Sequence, residues 1–565
     1  MNRTAGNAAS RTSTEHDVVV VGSGCAGLAA ALSSALAGAS VVVLERTDLL
    51  GGTTAISGAG MWLPNTPLTE QLGFADSPEE VRVYLRRLAV GRTSDELIDA
   101  FIDAAPRTFE MLRATADMQF ELTTQNDYHT NLEGAKAGGR SIWPTLYDGN
   151  RLGEMADLVR DTPHPGGMPA VTYSELADSN WGIGEQGDAW VKLVEERKPK
   201  KIFGKGRALV AALLEACRQH GVEFMLSTRA RDLVMEGNHV TGVVAEHDGS
   251  RRTLTARMGV VLASGGFEWN ERLWKGFVGV PLDGPLSPPG NEGDAIQMAM
   301  RAGARVANTN EVWWMPGIYV DDETYDGKPR LRMGAAGKSL PGAIVVNAQG
   351  RRFANESMNY NDFGQYMVRF EPRTYSFPNY PAYVVFDSQY RRHYPPIAYD
   401  GNRHEDADWL VQADTLNELA EKLGVDAAGL EKQVSKFNAN AEVGLDPEFN
   451  RGGSSYDKSG KFGDRSRANP NLAPITEGPF YGYRLQVSCL GTKGGPVINE
   501  NAQIVDQEDR PIPGLYGAGN AVSAVFGTAY PGGGATIGVG LTFGYLAGRS
   551  LTGADPLPYR PQNDD

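Results

Sequence analysis

Val18 to Val21 form an unbroken apolar run, and a second run, Val41 to Leu44, follows an alanine-rich stretch. Uninterrupted apolar runs of this length predict strands buried on both faces of a parallel sheet. Between them Gly22, Gly24 and Gly27 give GxGxxG, so Asp17 to Arg46 reads strand, turn, helix, strand. From Pro67 to about Thr115 the apolar positions recur at helical spacing (VRVYLRRLAV, ELIDAFIDAAPRTFEML) and predict scaffold helices. Glu121 to Pro144 is irregular, and Asn150 to Lys201 is an insert broken by glycine and proline whose basic end reads as a solvated face. Gly204 to His220 predicts an amphipathic helix. The strands after it (VEFMLST, ARDLVMEGNHVTGVVAEHD, TLTARMGVVLASGGF) predict a meander turning at Gly237–Asn238. Its last strand, Met258 to Ala263, stops at Ser264, Gly265 and Gly266 and reads as a return to the first sheet; Asn291 to Asp294 opens another helix. From about Val312 to Cys489 aromatics, loops and short strands take over. Gly514 to Gly548 then gives a strand, a loop holding Tyr530, Pro531 and Gly532 to Gly534, and a helix.

The fold class expected is α/β: a Rossmann-like FAD-binding domain with an inserted α+β catalytic cap domain. Residues 16–311 and 489–555 would form the FAD-binding domain, with 150–201 as its inserted segment and 312–488 as the cap. Residues 1–15 read as a disordered leader and 556–565 as a tail.

The 565 residues carry a formal net charge of −15, which leaves no basic stripe for phosphates and excludes a nucleic-acid partner. The three cysteines, Cys25, Cys217 and Cys489, have neither disulfide nor metal-ligand spacing. No apolar run reaches the ~18 residues a span requires. These features point to a cytoplasmic enzyme with no metal. Peripheral membrane contact through the 150–201 insert stays open. The 68 glycines exceed the usual ~7% share and fit many close approaches of backbone to ligand.

The chemistry gathers at the glycines. Glu45 ends the second strand at the ~20-residue distance where an acid takes a ribose hydroxyl, which points to FAD or NAD rather than NADP. A second glycine- and hydroxyl-rich loop, Arg46 to Gly60, follows at once and favours FAD, whose pyrophosphate and isoalloxazine need further backbone approach. Gly51, Gly52, Thr53, Thr54, Ser57 and Gly58 suit that task. Cys25, Ala26, Arg46, Ala230, Ser264, Gly265, Asp294, Gly519 and Asn520 complete the expected cofactor set. Thr536 and Ile537 open the last helix and are expected at the flavin's pyrimidine carbonyl. Tyr530 and the N–H of Gly534 present two donors to one point, the arrangement that holds a carbonyl oxygen becoming an enolate.

GSGCAGLAAA, GGTTAISGAGMWLPN, NDYH, LASGGFEWN, VNAQGRRFANESMNY, LGTKGG, GLYGAGN and YPGGGATIG together resemble the FAD-dependent 3-ketosteroid Δ1-dehydrogenases, within a fumarate-reductase-like superfamily. The resemblance runs from about Asp17 to Gly548. It implies a 3-ketosteroid substrate whose 3-keto oxygen is held by Tyr530 and the N–H of Gly534. Tyr360 would take the carbon-2 proton with help from Tyr128, flavin N5 would take the carbon-1 hydride, and a quinone or similar external acceptor would reoxidise the flavin. Gly533 stands where that family has proline, and His129 where it often has a second tyrosine. A Δ4-(5α)-dehydrogenase shares cofactor and site. A fumarate-reductase-like enzyme fits less well, because Thr492, Lys493 and Tyr360 stand where histidine and arginine would hold a dicarboxylate. A tyrosine base calls for a pKa below its reference of ~10.

Overall fold

A computed structural model describes residues 14–555 apart from 122, 163–168, 179–185, 336, 395–406 and 460–462. Most of the expected leader, the tail and parts of the 150–201 insert lie outside the described residues.

Strand β1 (Glu15–Val21) leads through Gly22 into helix α1 (Cys25–Leu36) and back into β2 (Val41–Leu44). Gly27 is required here, since a Cβ would stand 1.9 Å from the carbonyl oxygen of Gly22. Helix α2 (Lys205–Gln219) feeds β3 (Glu223–Met225), followed by β4 (Thr228–Glu236), β5 (His239–His247) and β6 (Ser250–Leu262). Strands β4, β5 and β6 form the expected meander. VEFMLST does not belong to it: β3 pairs parallel with β2 at the edge of the nucleotide sheet. The amphipathic α2 before it is the crossover helix that a parallel strand needs.

Two regions separate in the core of the second half. Strands β7 (Ala343–Asn347), β8 (Ala382–Asp387), β9 (Val411–Ala413) and β10 (Phe480–Leu485) form a four-stranded antiparallel sheet in the order β7-β8-β10-β9. Helix α3 (Tyr360–Met367) packs Phe363 and Met367 into the same cluster, together with Trp274 from before residue 312.

The chain returns through β11 (Gln503–Val505) and β12 (Pro511–Gly517) to helix α4 (Ala535–Thr552). The main sheet runs β11-β12-β6-β1-β2-β3, and β6, β1, β2 and β12 pair parallel. Helix α4 lies against α1 along a glycine seam. A Cβ at Gly544 would stand 2.3 Å from the carbonyl oxygen of Ala26, and one at Gly548 would stand 2.7 Å from that of Ala30. Ser33 Oγ also donates to the carbonyl of Tyr545 at 2.9 Å. Among the described residues no helix is long and apolar enough to cross a membrane, and no cluster of side chains could hold a metal.

Candidate active site

The end of β1, the start of α1 and the loop after β2 are tied together by one carboxylate. Glu45 accepts from Ser23 Oγ at 2.6 Å, from Ser23 N at 3.3 Å, and from Thr47 N and Oγ1, both at 3.0 Å. Ser23 Oγ in turn accepts from Gly51 N at 2.9 Å. Thr54 Oγ1 accepts from Cys25 N at 3.0 Å, and Ser57 Oγ donates to the Thr54 carbonyl at 2.7 Å. A ribose hydroxyl reaching Glu45 would have to share the carboxylate with Ser23 and Thr47.

Room for a cofactor is visible in what side chains leave unfilled. A Cβ at Gly52 or Gly58 would meet nothing within 4 Å, and one at Gly24 would meet only Thr54 Oγ1, at 3.6 Å. Ser264 Oγ is buried without a hydrogen-bond partner among the described residues, next to Gly265, whose φ is +79°. Together with the free N–H groups expected at the start of α1, where Ala26 follows Cys25, this cradle fits an anionic pyrophosphate.

Other expected cofactor residues stand as follows. Arg46 donates to the Gly290 carbonyl at 2.6 Å and to Glu292 at 3.3 Å. Asp294 gives both carboxylate oxygens to Arg229, at 2.6 and 2.9 Å. Ala230 is buried on β4 opposite Ala245. Thr53 Oγ1 accepts from Asn291 at 3.3 Å. Gly519 has φ +70° and lies against Ala26, while Asn520 Oδ1 accepts from Trp313 Nε1 at 2.9 Å. Thr536 turns its hydroxyl to that of Tyr530 at 3.2 Å, and Ile537 packs on the main core.

The catalytic candidates meet. Tyr128, Tyr360 and Tyr530 are all buried, and their ring centroids lie 5.3 to 5.6 Å apart. The Tyr128 hydroxyl donates to that of Tyr360 at 3.0 Å, and the Tyr360 and Tyr530 hydroxyls interact. The backbone amides of Gly534 and Thr536 lie near enough to the Tyr530 hydroxyl to favour its ionised form. Gly534 caps α4 at φ +92°, where a Cβ would overlap the Gly60 backbone at 2.1 Å, so only glycine serves there.

Tyr84 and Lys493, neither expected to act at the site, join Tyr128 in holding this loop. Tyr84 Oη and Tyr128 N both donate to the Pro531 carbonyl, at 2.7 and 2.9 Å. The buried Lys493 ammonium donates to the carbonyls of Thr528 and Ala529 at 2.6 and 3.0 Å, and it faces the Trp313 ring. Burial pushes that lysine down to about 7. Behind Tyr360 lies a buried charge network. Glu356 is gripped by Arg352 at 2.6 and 2.7 Å and approached by Arg451 at 3.3 Å, and Arg352 also binds Asp446 at 2.8 and 2.9 Å. Tyr456, buried and edge-on to Tyr128 at 5.2 Å, completes the aromatic wall.

Burial sets the electrostatics of the tyrosines. It pushes Tyr360 well above the usual tyrosine value, and the neighbouring Tyr128 and Tyr530 add to the rise. Tyr128 is raised in the same way, first by burial. Tyr530 is raised by burial but less freely, because hydrogen bonds from Thr536 and Tyr360 oppose it. A tyrosine base with a lowered pKa is therefore not what this site contains. Three hydroxyls packed out of water disfavour the phenolate more than one hydrogen-bonded partner favours it.

The sheet, its glycine turn and the cradle after Glu45 define an FAD-binding flavoprotein of the Rossmann-like class. The FAD binding domain family matches residues 17–537. Over 95% of its length the chain is 38% identical to 4-oxocyclohexanecarboxylate 2-dehydrogenase of Sinomonas cyclohexanicum, covering 93% of that protein. It is 35% identical to 3-oxosteroid 1-dehydrogenase of Mycolicibacterium smegmatis, covering 95% of this chain and 97% of the relative. The crystal structure of 3-ketosteroid Δ1-dehydrogenase from Sterolibacterium denitrificans with 1,4-androstadiene-3,17-dione superposes with a TM-score of 0.87 at 34% identity, over 96% of this chain and 100% of that one. The chain belongs to the FAD-dependent 3-ketosteroid Δ1-dehydrogenase family, and is an FAD-dependent dehydrogenase.

Proposed function

We propose that the protein desaturates the bond next to the ketone of a six-membered ring, and that its substrate is the A ring of a 3-ketosteroid, made unsaturated between carbons 1 and 2. One observation carries this reading: the Tyr530 hydroxyl and the Gly534 N–H lie close together beside the hydrogen-bonded pair Tyr128–Tyr360. A ketone oxygen at that point receives two donors. The proton on the adjacent carbon becomes more acidic because enolate charge develops where the donors are aimed. Tyr360, in its ionised phenolate form, accepts that proton from carbon 2 and becomes the neutral phenol, and the Tyr128 hydroxyl orients and stabilises the phenolate oxygen by donating to it. Buried walls keep water from the developing enolate. FAD would be held by the Gly22–Gly27 turn, the Gly51–Gly58 loop and Ser264, and would supply the acceptor for the hydride from carbon 1. Loss of the proton and the hydride leaves the carbon 1–2 double bond. An external acceptor such as a quinone completes the cycle.

The same chemistry applies to a smaller ring ketone such as the substrate named for the 38% identical relative. Anaerobic mixing with 4-androstene-3,17-dione should bleach the flavin and yield 1,4-androstadiene-3,17-dione. An unbleached flavin, or a saturated 5α steroid desaturated only between carbons 4 and 5, would refute the Δ1 assignment.

A further inference from the structure

Gln125 leads into the segment that carries Asp127 and Tyr128, and it is 7% exposed. Its Oε1 accepts from the Tyr173 hydroxyl at 3.2 Å. Its Nε2 is buried and has no hydrogen-bond partner among the described residues. The amide occupies the space a side chain at residue 533 would need. A Cβ on Gly533 would stand 2.2 Å from Nε2 and 2.9 Å from Cδ. Gly533 immediately precedes the ketone donor Gly534, so the Gln125 amide lies against the ketone-binding loop.

The surroundings place this amide on the substrate wall. Tyr173 acts on the ionisation of both Tyr128 and Tyr456. Asn126 Nδ2 donates to the Ser455 carbonyl at 3.2 Å, which brings Tyr456 to the same wall, and the Tyr456 hydroxyl is likewise buried without a partner. Buried N–H and O–H groups are almost always paired with protein, water or ligand, because leaving them unpaired is costly. Hydrocarbon cannot pair them; a second oxygen on the substrate can.

Building on the ring-ketone reading above, we propose that Gln125 is a specificity-determining residue: its amide donates to a second oxygen of the substrate, and residue 533 is glycine to make room for it. The acceptor is a carboxylate on a small ring ketone, or a hydroxyl or carbonyl oxygen on a steroid.

Two substrate pairs test this and separate the sources: 4-oxocyclohexanecarboxylate against 4-methylcyclohexanone, and an oxygenated 3-ketosteroid against the same skeleton without the second oxygen. The readout is the ratio of kcat/KM within each pair, with flavin content measured for every variant. Gln125→Met keeps length and removes the donor. It should lower the ratio tenfold to a hundredfold in the pair that supplies the natural acceptor, mainly through KM, because a site built to bond an oxygen discriminates strongly against its absence. Gly533→Ala displaces the amide without altering Gln125 and should shift the same ratio in the same direction. Unchanged ratios in both pairs, or equal losses for both members of each pair, would overturn the assignment. A wild-type flavin bleached by none of the four ketones would instead overturn the ring-ketone reading on which it rests.

Discussion

Replacing Tyr530 by phenylalanine isolates one hydroxyl. The ring stays packed edge-on to Trp313 at 5.0 Å and beside Tyr128 and Tyr360 at 5.3 and 5.4 Å, so no cavity larger than an oxygen opens. The Thr536 hydroxyl loses an acceptor, worth about 0.5–1.5 kcal/mol of stability, which leaves the fold and the FAD cradle intact. The reaction loses more. Of the two donors at the ketone oxygen only the Gly534 N–H remains, and removal of one such donor costs about 2.7–4 kcal/mol, or roughly 10²–10³ in kcat. Stopped-flow bleaching under anaerobic conditions at saturating ketone measures this step directly. The variant should be yellow, with FAD content equal to wild type, and slower by that factor. A loss smaller than about tenfold, equivalent to ~1.4 kcal/mol, would show that Tyr530 does not carry developing charge.

Flavin reduction should accelerate with pH at a log slope of about one through pH ~10 without a plateau, because burial holds Tyr360 well above its usual value; a plateau in the neutral range would contradict this. The raised values of Tyr128 and Tyr360 also mean that their contribution to stability is complete below pH ~10 and is lost as pH climbs towards their folded values, which alkaline thermal melts should record. Glu45→Gln puts an amide NH2 against the donors Ser23 and Thr47 and should weaken FAD binding about tenfold, read from fluorescence of released flavin; unchanged affinity would remove Glu45 from the cradle. Glu356→Gln strips the counter-charge from the fully buried Arg352 and Arg451 and should cost about 3–5 kcal/mol in denaturant unfolding; a loss below about 1 kcal/mol would show that Asp446 alone suffices.

What the sequence displayed and what it hid follow from distance along the chain. The GxGxxG turn, the glycine loop after Glu45 and the helix opened by Gly534 are local backbone devices, each contained within one short segment, so residue order alone exposes them. The parallel strand Glu223–Met225 was obscured because three residues carry too little periodicity to separate a sheet edge from a meander. The buried charge network around Glu356 was invisible for another reason: Arg352 meets Asp446 across 94 positions, and neither residue type announces a partner so remote. Lys493 looked like a substitution in a motif, whereas its ammonium fixes the two carbonyls ahead of Tyr530. The rise in the tyrosine pKa values is a property of burial, which no motif encodes.

The glycine seam between α1 and α4 has a consequence for biosynthesis. Ser33 and Tyr545 are joined across 512 positions, so the helix that opens the dinucleotide turn is made long before the one that covers it. An emerging chain therefore carries the face of α1 that meets α4 uncovered until almost all of the described residues have been synthesised, although Cys217 of α2 reaches the Leu28 carbonyl of α1 earlier. Loop closure over that span must precede completion of the cradle. A cofactor that binds only the closed form would favour the pairing of these two distant helices by mass action.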